Sequence, residues 1–161
     1  ELVDRLGRAG MALARQIAMT TYRSERDFDE RFSGRTEPDG TTSIVSYLEH
    51  QGRKLLDRFD PDTYRSLVGA MDRHDIGRGR GGVGEALGRL AAGGTRLTGL
   101  GIQDDILYGP AQVRALVKAA SAAGVRAAYR EIHSPKGHDA FLVEWDQLSA
   151  LLREALATSG G

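Results

Sequence analysis

The sequence predicts an α/β protein: a block of helices followed by part of a parallel sheet. Residues 1–94 carry apolar positions at helical spacing and no strand pattern, whereas residues 95–157 alternate strand, helix, strand and helix. Such a βαβα order makes the two strands parallel, with a right-handed crossover. Because two strands do not make a stable parallel sheet, we expect polypeptide outside this chain to complete it.

The helical block is divided by residues that break or begin helices. Gly7 and Gly10 weaken the start of the first helix. Residues 23–42 are polar and rich in breakers, which predicts a surface loop with one helical turn around Phe28–Phe32. Asp60-Pro61 begins a new helix, since Asp caps free N–H groups and Pro suits a first turn. Helices are predicted over residues 2–22, 43–59, 61–74 and 83–90.

The α/β half has clear element boundaries. Pro110 begins the helix between the strands and Gly124 ends it. Loops follow the two strands over residues 103–109 and 133–139. Strands are predicted over residues 95–102 and 125–132, and helices over residues 110–123 and 140–157.

Composition excludes several classes of protein. The 22 basic and 22 acidic residues balance, which argues against binding to nucleic acid or to an anionic membrane. The absence of cysteine excludes disulfides, a Cys-based zinc site and a thiolate nucleophile. No apolar run reaches the roughly 18 residues of a membrane span, so a cytoplasmic protein is expected. The chain begins at Glu1, inside a predicted helix and without Met, which suggests a cut end.

Titratable residues follow both strands, where ligands bind in open α/β sheets. Asp104 and Asp105 follow the first strand and His138 follows the second, in the order acid then histidine. These are the residue types that orient and carry the proton in a nucleophile–His–acid triad. The alternative is that they are ordinary loop residues. No Gly-x-Ser-x-Gly motif is present, and Ser134 is expected to shape its loop.

Two other patterns are weak. Gly77-x-Gly79-x-x-Gly82 matches a dinucleotide-binding string, but a predicted helix precedes it where a strand is required. His50, His74 and His133 lack the spacing of metal ligands, so no metal site is predicted.

Six segments, taken together and in order, resemble the homoserine O-acetyltransferase family, an acyltransferase branch of the α/β hydrolases. They are residues 14–24 (ARQIAMTTYRS), 46–52 (SYLEHQG), 58–64 (RFDPDTY), 70–75 (AMDRHD), 104–108 (DDILY) and 137–142 (GHDAFL). The resemblance implies the C-terminal part of an α/β-hydrolase fold. It also implies a cytoplasmic enzyme of methionine biosynthesis that moves an acetyl group from acetyl-CoA, as cosubstrate, to L-homoserine, with no bound cofactor.

The resemblance also implies roles for particular residues. Asp105 matches the catalytic acid and His138 the catalytic histidine. Asp139 matches the acid that binds the substrate's amino group, and Arg15 the residue that binds its carboxylate. Tyr22 matches a tyrosine of the substrate site. Without the resemblance, Arg15 and Tyr22 would be expected to be structural.

The domain organisation follows from the same resemblance. Residues 1–34 would end the core segment and carry the substrate-site helix, residues 35–94 would form a helical lid, and residues 95–161 would form the C-terminal part of the core. Lid helices pair two protomers in this family. The apolar stripe available for such a homodimer is Ile44, Tyr47, Leu48 and Leu55.

The nucleophilic serine has no candidate in the chain, so a partner segment or partner chain is expected to supply it. Three alternatives remain open. The enzyme could use another hydroxyl acceptor, such as serine or a deacetylated antibiotic precursor, or a succinyl donor. It could be a plain esterase, or a remnant that binds a partner without catalysis.

Overall fold

The computed structural model describes residues 2–157 and divides into two compact units, Glu1–His74 and Asp75–Gly161. No helix in the described part of the chain is long and apolar enough to cross a membrane. The first unit contains α1 (Leu2–Tyr22), α2 (Glu25–Phe32), α3 (Ser43–Leu56) and α4 (Pro61–Asp72); the second contains α5 (Val83–Ala92), β1 (Arg96–Ile102), α6 (Pro110–Ala122), β2 (Arg126–Ile132), a 3-10 helix (Gly137–Leu142) and α7 (Trp145–Ala157).

The first unit is built on the contact between α1 and α3. Of the two glycines predicted to weaken the start of α1, Gly7 kinks the helix, with a φ of 53° that few other residues adopt, whereas Gly10 stays helical. Met11 and Met19 of α1 are buried. The two helices approach closely at Gly52, where a Cβ would lie only 3.0 Å from the carbonyl oxygen of Ala12.

The loop predicted over residues 23–42 contains a longer helix than the single turn expected around Phe28–Phe32, because α2 begins at Glu25. The Ser24 hydroxyl accepts a hydrogen bond from the N–H of Asp27 and caps this helix. The buried Asp27 carboxylate lies 3.0 Å from Arg23 and 3.6 Å from Arg31. A serine followed three residues later by an acidic residue is a helix-start pattern, so the sequence did contain the information.

The start of α4 agrees with the sequence prediction. One carboxylate oxygen of Asp60 accepts hydrogen bonds from the N–H groups of Asp62 and Thr63, both at 2.9 Å. The hydrogen bonds from Thr63 lower the pKa of Asp60. The preceding helix, α3, ends at Leu56 and is therefore shorter than predicted.

The second unit is a parallel βαβ unit, as predicted. β1 and β2 pair in register from Arg96 with Arg126 to Ile102 with Ile132. α6 packs on the sheet over Gly99, where a Cβ would lie 2.5 Å from a methyl group of Val117. This close approach explains a glycine inside the strand.

Apolar clusters cover both faces of the two-stranded sheet. On one face, α5 and α6 contribute Leu87 and Ala120, which pack with Val125. On the other, the strand ends Ile102 and Ile132 pack with Ala140 of the 3-10 helix. The clusters lie on opposite faces because successive strand residues alternate in direction. The lid role predicted for residues 35–94 and its boundaries remain predictions.

The continuous terminal helix predicted over residues 140–157 is wrong. The chain forms the 3-10 helix Gly137–Leu142, leaves helical geometry at Val143, and begins α7 at Trp145. The N–H groups of Val143 and Glu144 both donate to the carbonyl of Ala140, which closes the 3-10 helix. The predicted His-bearing loop is therefore partly helical.

Candidate active site

The loop after β1 fixes the carboxylate of Asp105. One of its oxygens accepts hydrogen bonds from the N–H groups of Leu107 (2.8 Å) and Tyr108 (2.9 Å). Asp105 is only 7% exposed. A side chain that satisfies the N–H groups two and three residues later is a common way for Asp to shape a tight loop. The backbone thus aims the second oxygen of Asp105 in a defined direction.

That second oxygen lies 2.8 Å from Nδ1 of His138. The histidine is carried by the 3-10 helix, and its side chain is 23% exposed while that of Asp105 is 4% exposed. The two residues are 33 positions apart, and the parallel pairing of β1 with β2 brings their loops to the same sheet edge. The contact favours Asp105 over Asp104 as the acid of the pair.

The contact also determines which imidazole nitrogen can act as a base. A carboxylate only accepts hydrogen bonds, so Nδ1 of His138 donates to Asp105. In the neutral imidazole, the lone pair is then on Nε2. Tyr108 and Phe141 lie against the ring, with ring centroids 5.5 and 5.8 Å from that of His138. The arrangement can accept and return a proton at one defined atom.

Residues before and after His138 hold its segment in place. The buried hydroxyl of Ser134 donates to Glu144 at 2.7 Å and accepts from the N–H of Lys136 at 3.2 Å. The side-chain amide of Gln147, on α7, bonds both the N–H and the carbonyl of His133, at 3.0 Å each. The structure confirms that Ser134 shapes the loop. The sequence analysis missed Glu144 and Gln147, because no local pattern marks a polar contact across 10 or 14 residues.

The remaining predicted site residues divide between the two units. Asp139 follows His138 in the 3-10 helix and is half-buried. Arg15 and Tyr22 lie two turns apart on α1, and the Arg15 guanidinium carbon is 5.2 Å from the centre of the Tyr22 ring. The structure therefore pairs Asp105 with His138 in one unit and Arg15 with Tyr22 in the other. The substrate-binding roles of Arg15, Tyr22 and Asp139 remain predictions.

The glycine-rich segment does not have the setting of a dinucleotide site. A helix, α4, precedes it where such a site requires a strand. Gly77 is buried, and a Cβ there would lie 2.7 Å from the backbone of Gly82 and Val83. Its carbonyl accepts from the N–H groups of Arg80 and Gly82. The segment folds back on itself before α5. Among residues 2–157, no group of three or more His, Cys, Asp or Glu could hold a metal ion.

Comparison with known proteins gives closely related sequences, although no protein-family model matches the chain. Homoserine O-acetyltransferase from Thermus thermophilus is 50% identical over 143 residues, which is 89% of this chain and 34% of that protein. The one from Moorella thermoacetica is 41% identical over 157 residues, 92% of this chain and 41% of that protein. The chain is a homologue of the homoserine O-acetyltransferases. The family resemblance inferred from the six sequence segments is therefore confirmed. The chain spans less than half the length of these relatives.

Solved structures agree on the fold. Homoserine O-acetyltransferase from Bacillus anthracis superimposes with a TM-score of 0.69 at 21% identity, over 83% of this chain and 37% of that one. A crystallised esterase superimposes with a TM-score of 0.76 at 13% identity, over 91% of this chain and 42% of that one. At such identities the likeness shows the fold alone. The predicted α/β-hydrolase fold class is confirmed.

Proposed function

We propose that this homologue of the homoserine O-acetyltransferases provides the acid and the base of an acyltransferase. The enzyme would move the acetyl group of acetyl-CoA to the hydroxyl of L-homoserine through an acyl-serine intermediate, in methionine biosynthesis in the cytoplasm. It would use acetyl-CoA as cosubstrate and hold no bound cofactor. The serine would come from polypeptide outside this chain.

The observation that carries the proposal is the hydrogen bond from Nδ1 of His138 to the buried Asp105. A loop acid and a loop histidine with no catalytic role need not meet, because each could be solvated separately. The 50% identity to the Thermus thermophilus homoserine O-acetyltransferase supports the choice of reaction among those that an acid–histidine pair can serve.

In the first half-reaction, the serine hydroxyl attacks the thioester carbonyl carbon of acetyl-CoA. Its proton passes to Nε2 of His138, and Asp105 stabilises the imidazolium that forms. The tetrahedral intermediate collapses, the carbon–sulfur bond breaks, and His138 returns the proton to the departing thiolate. An acetyl ester on the serine remains, and CoA leaves as a thiol.

In the second half-reaction, the homoserine hydroxyl attacks that ester, and His138 takes the hydroxyl proton. Collapse transfers the acetyl group to homoserine and returns the proton to the serine. The guanidinium of Arg15 would bind the carboxylate of homoserine and Asp139 its amino group, with Tyr22 lining the same site. These contacts would distinguish an amino-acid acceptor from water.

Two partners belong to the proposal. One is the segment that carries the nucleophilic serine, in the same polypeptide or in another. The other is a second protomer, paired through the helices of residues 35–94. The apolar stripe Ile44, Tyr47, Leu48 and Leu55 on α3 is half-buried in this chain and is the candidate surface for that pairing.

An acceptor and donor screen tests the proposal. The protein is purified from its native source together with the polypeptide that carries the nucleophilic serine, whether that is part of the same chain or a separate one. Its intact mass is followed with acetyl-CoA alone and then with an acceptor. We expect the gain of one acetyl group, lost when homoserine is added, with O-acetylhomoserine as product. Turnover of simple esters without transfer to any amino acid would contradict the proposal in favour of an esterase. Preference for serine or for succinyl-CoA would identify a sister acyltransferase.

A further inference from the structure

A positively charged pocket lies between α1 and the C-terminal end of α3 in the first unit. Its volume is about 230 Å³. Three of the six residues that line it are cations, and none of the six is acidic. The lining residues are Arg15, Gln51, Lys54, Leu55, Arg58 and Phe59.

The described residues provide no carboxylate partner for the cations of this pocket. Arg15 and Arg58 contact aromatic rings instead: their guanidinium carbons lie 5.2 Å from the centre of the Tyr22 ring and 5.6 Å from that of the Phe59 ring. Such contacts orient a guanidinium without neutralising its charge. Arg53, on α3, shows the usual arrangement of a surface arginine: its guanidinium lies 3.5 Å from the carboxylate of Glu49.

Helix electrostatics account for only part of this arrangement. Lys54 is in the last turn of α3, where a cation offsets the partial negative charge of the helix end. Arg15 lies in the middle of α1 and Arg58 follows α3, so the same reason does not apply to them. Lys54 and Arg58 are exposed, so water screens part of their repulsion with Arg15, and an anion in the pocket would offset the rest.

We propose that Arg15, Lys54 and Arg58 form a binding pocket for an anionic group of a substrate. The inference rests on the proposed function and adds Lys54 and Arg58 to the residues that hold substrate. Phosphate and carboxylate share the required chemistry, since both accept several charge-assisted hydrogen bonds. The anion would be the carboxylate of the acceptor, which the proposed function assigns to Arg15, or a phosphate of acetyl-CoA, in which case Arg15 holds the donor instead.

Steady-state kinetics of the protein as the cell makes it distinguish the two sources. Lys54→Gln and Arg58→Gln each remove one charge, and Arg53→Gln is the matched control, a neighbouring cation outside the pocket lining. Acetyl-CoA is compared with S-acetylpantetheine, which has the same thioester and no phosphate. If the anion is phosphate, each pocket variant should raise the KM for acetyl-CoA about tenfold and leave S-acetylpantetheine unaffected. If it is the acceptor carboxylate, the KM for homoserine should rise with either donor.

The proposal is overturned if both variants leave the kinetics and pyrophosphate binding unchanged, or if Arg53→Gln changes them equally. Binding of inorganic pyrophosphate, measured by calorimetry without turnover, separates this result from a failure of the proposed function. A pocket that binds pyrophosphate, and loses it in the Lys54→Gln and Arg58→Gln variants, upholds the inference even if the enzyme uses another donor. Pyrophosphate binding that is absent or insensitive to these substitutions, together with unchanged kinetics, means that the cations are simply solvated.

Discussion

The two units of the molecule differ in how they position their candidate functional residues. In the second unit, Asp105 and His138 stand where two parallel strands end, and the topology of the sheet brings them together. In the first unit, Arg15 and Tyr22 lie along one helix, seven residues apart. The sequence pattern shows where each strand ends, and residues just beyond parallel strand ends share one edge of the sheet. A polar residue on a helix, by contrast, has the same sequence pattern whether it binds a ligand or only contacts solvent.

Packing differs in the same way. The first unit depends on close approach of α1 and α3, made possible by Gly52. The second is held by a parallel ladder covered on both faces. Added side-chain volume is therefore expected to disturb both the contact of α1 with α3 at Gly52 and that of α6 with the sheet at Gly99, whereas the loops of the sheet unit depend on their polar contacts.

The largest expected effect is the loss of catalysis when the acid–base pair is broken. His138→Ala should lower kcat by about 10⁶-fold, and Asp105→Asn by about 10⁴-fold because it removes the acceptor that fixes the tautomer. The measurement is acyl-enzyme formation from acetyl-CoA. His74→Gln is the control, since His74 is an exposed histidine of the other unit. Undiminished acylation in His138→Ala would exclude the triad assignment.

Adding one methyl group should distinguish a closely packed glycine from an open one. Gly52→Ala places a Cβ 3.0 Å from the Ala12 carbonyl oxygen, and the backbone of α1 cannot yield easily. We expect it to lower the free energy of unfolding by about 1–3 kcal/mol. Gly88→Ala, inside α5, meets nothing within 4 Å and should raise that free energy by up to about 1 kcal/mol. Urea unfolding measures both; equal effects would mean that α1 and α3 are not tightly packed at this point.

Loss of the Ser134 hydroxyl tests the polar loops of the sheet unit. Ser134→Ala leaves Glu144 and the N–H of Lys136 without a buried partner and should cost about 1–3 kcal/mol. Because this hydroxyl anchors the segment before His138, kcat should fall as well. The exposed Ser121 on α6 provides the control, Ser121→Ala, which should change stability by less than about 0.5 kcal/mol. A Ser134→Ala protein with full stability would show that the hydrogen bonds are dispensable.

The smallest expected effect is a titration in the sheet unit at high pH. Burial, together with the hydrogen bond that the phenol donates to Glu131, raises the pKa of Tyr129 from 10.0 to about 12. Its contribution to stability is present below pH 10 and is lost as the pH rises toward 12, because the folded state then holds more protons than the unfolded state. Ultraviolet titration should show one of the five tyrosines ionising late. In Glu131→Gln its pKa should fall; no change would mean that burial alone sets it.

The sequence predicts the sheet unit better than the helical unit. Pro110 and Gly124 delimit the crossover helix, and the strands differ from their predicted bounds by one residue at their starts. The acid–histidine pair was also foreseeable, although the choice of Asp105 over Asp104 needed the backbone N–H groups of the loop. The spacing of apolar residues was enough to predict the elements of this unit, because β1, α6 and β2 are consecutive in the sequence and pack on one another.

Interactions across the chain explain what the sequence did not reveal. In α2 the Asp27 carboxylate is buried between two arginines, and Phe32 packs against Tyr47 of α3 with ring centroids 5.0 Å apart, although the segment is polar by composition. The break before α7 depends on Ala140, whose carbonyl serves two N–H groups while its side chain is buried against Ile102. Neither burial is visible in a hydrophobicity pattern.

The short distance along the chain between Asp105 and His138 has a consequence for folding. Only 33 positions separate them, and those positions form one crossover from strand to strand. The entropy lost on closing a loop grows with the logarithm of its length, so a contact of this range is inexpensive compared with one between distant parts of a chain. Parallel strand pairing still forms more slowly than a helix, whose contacts are local. The acid–base pair is therefore expected to form together with the pairing of β1 and β2, after α6 is helical.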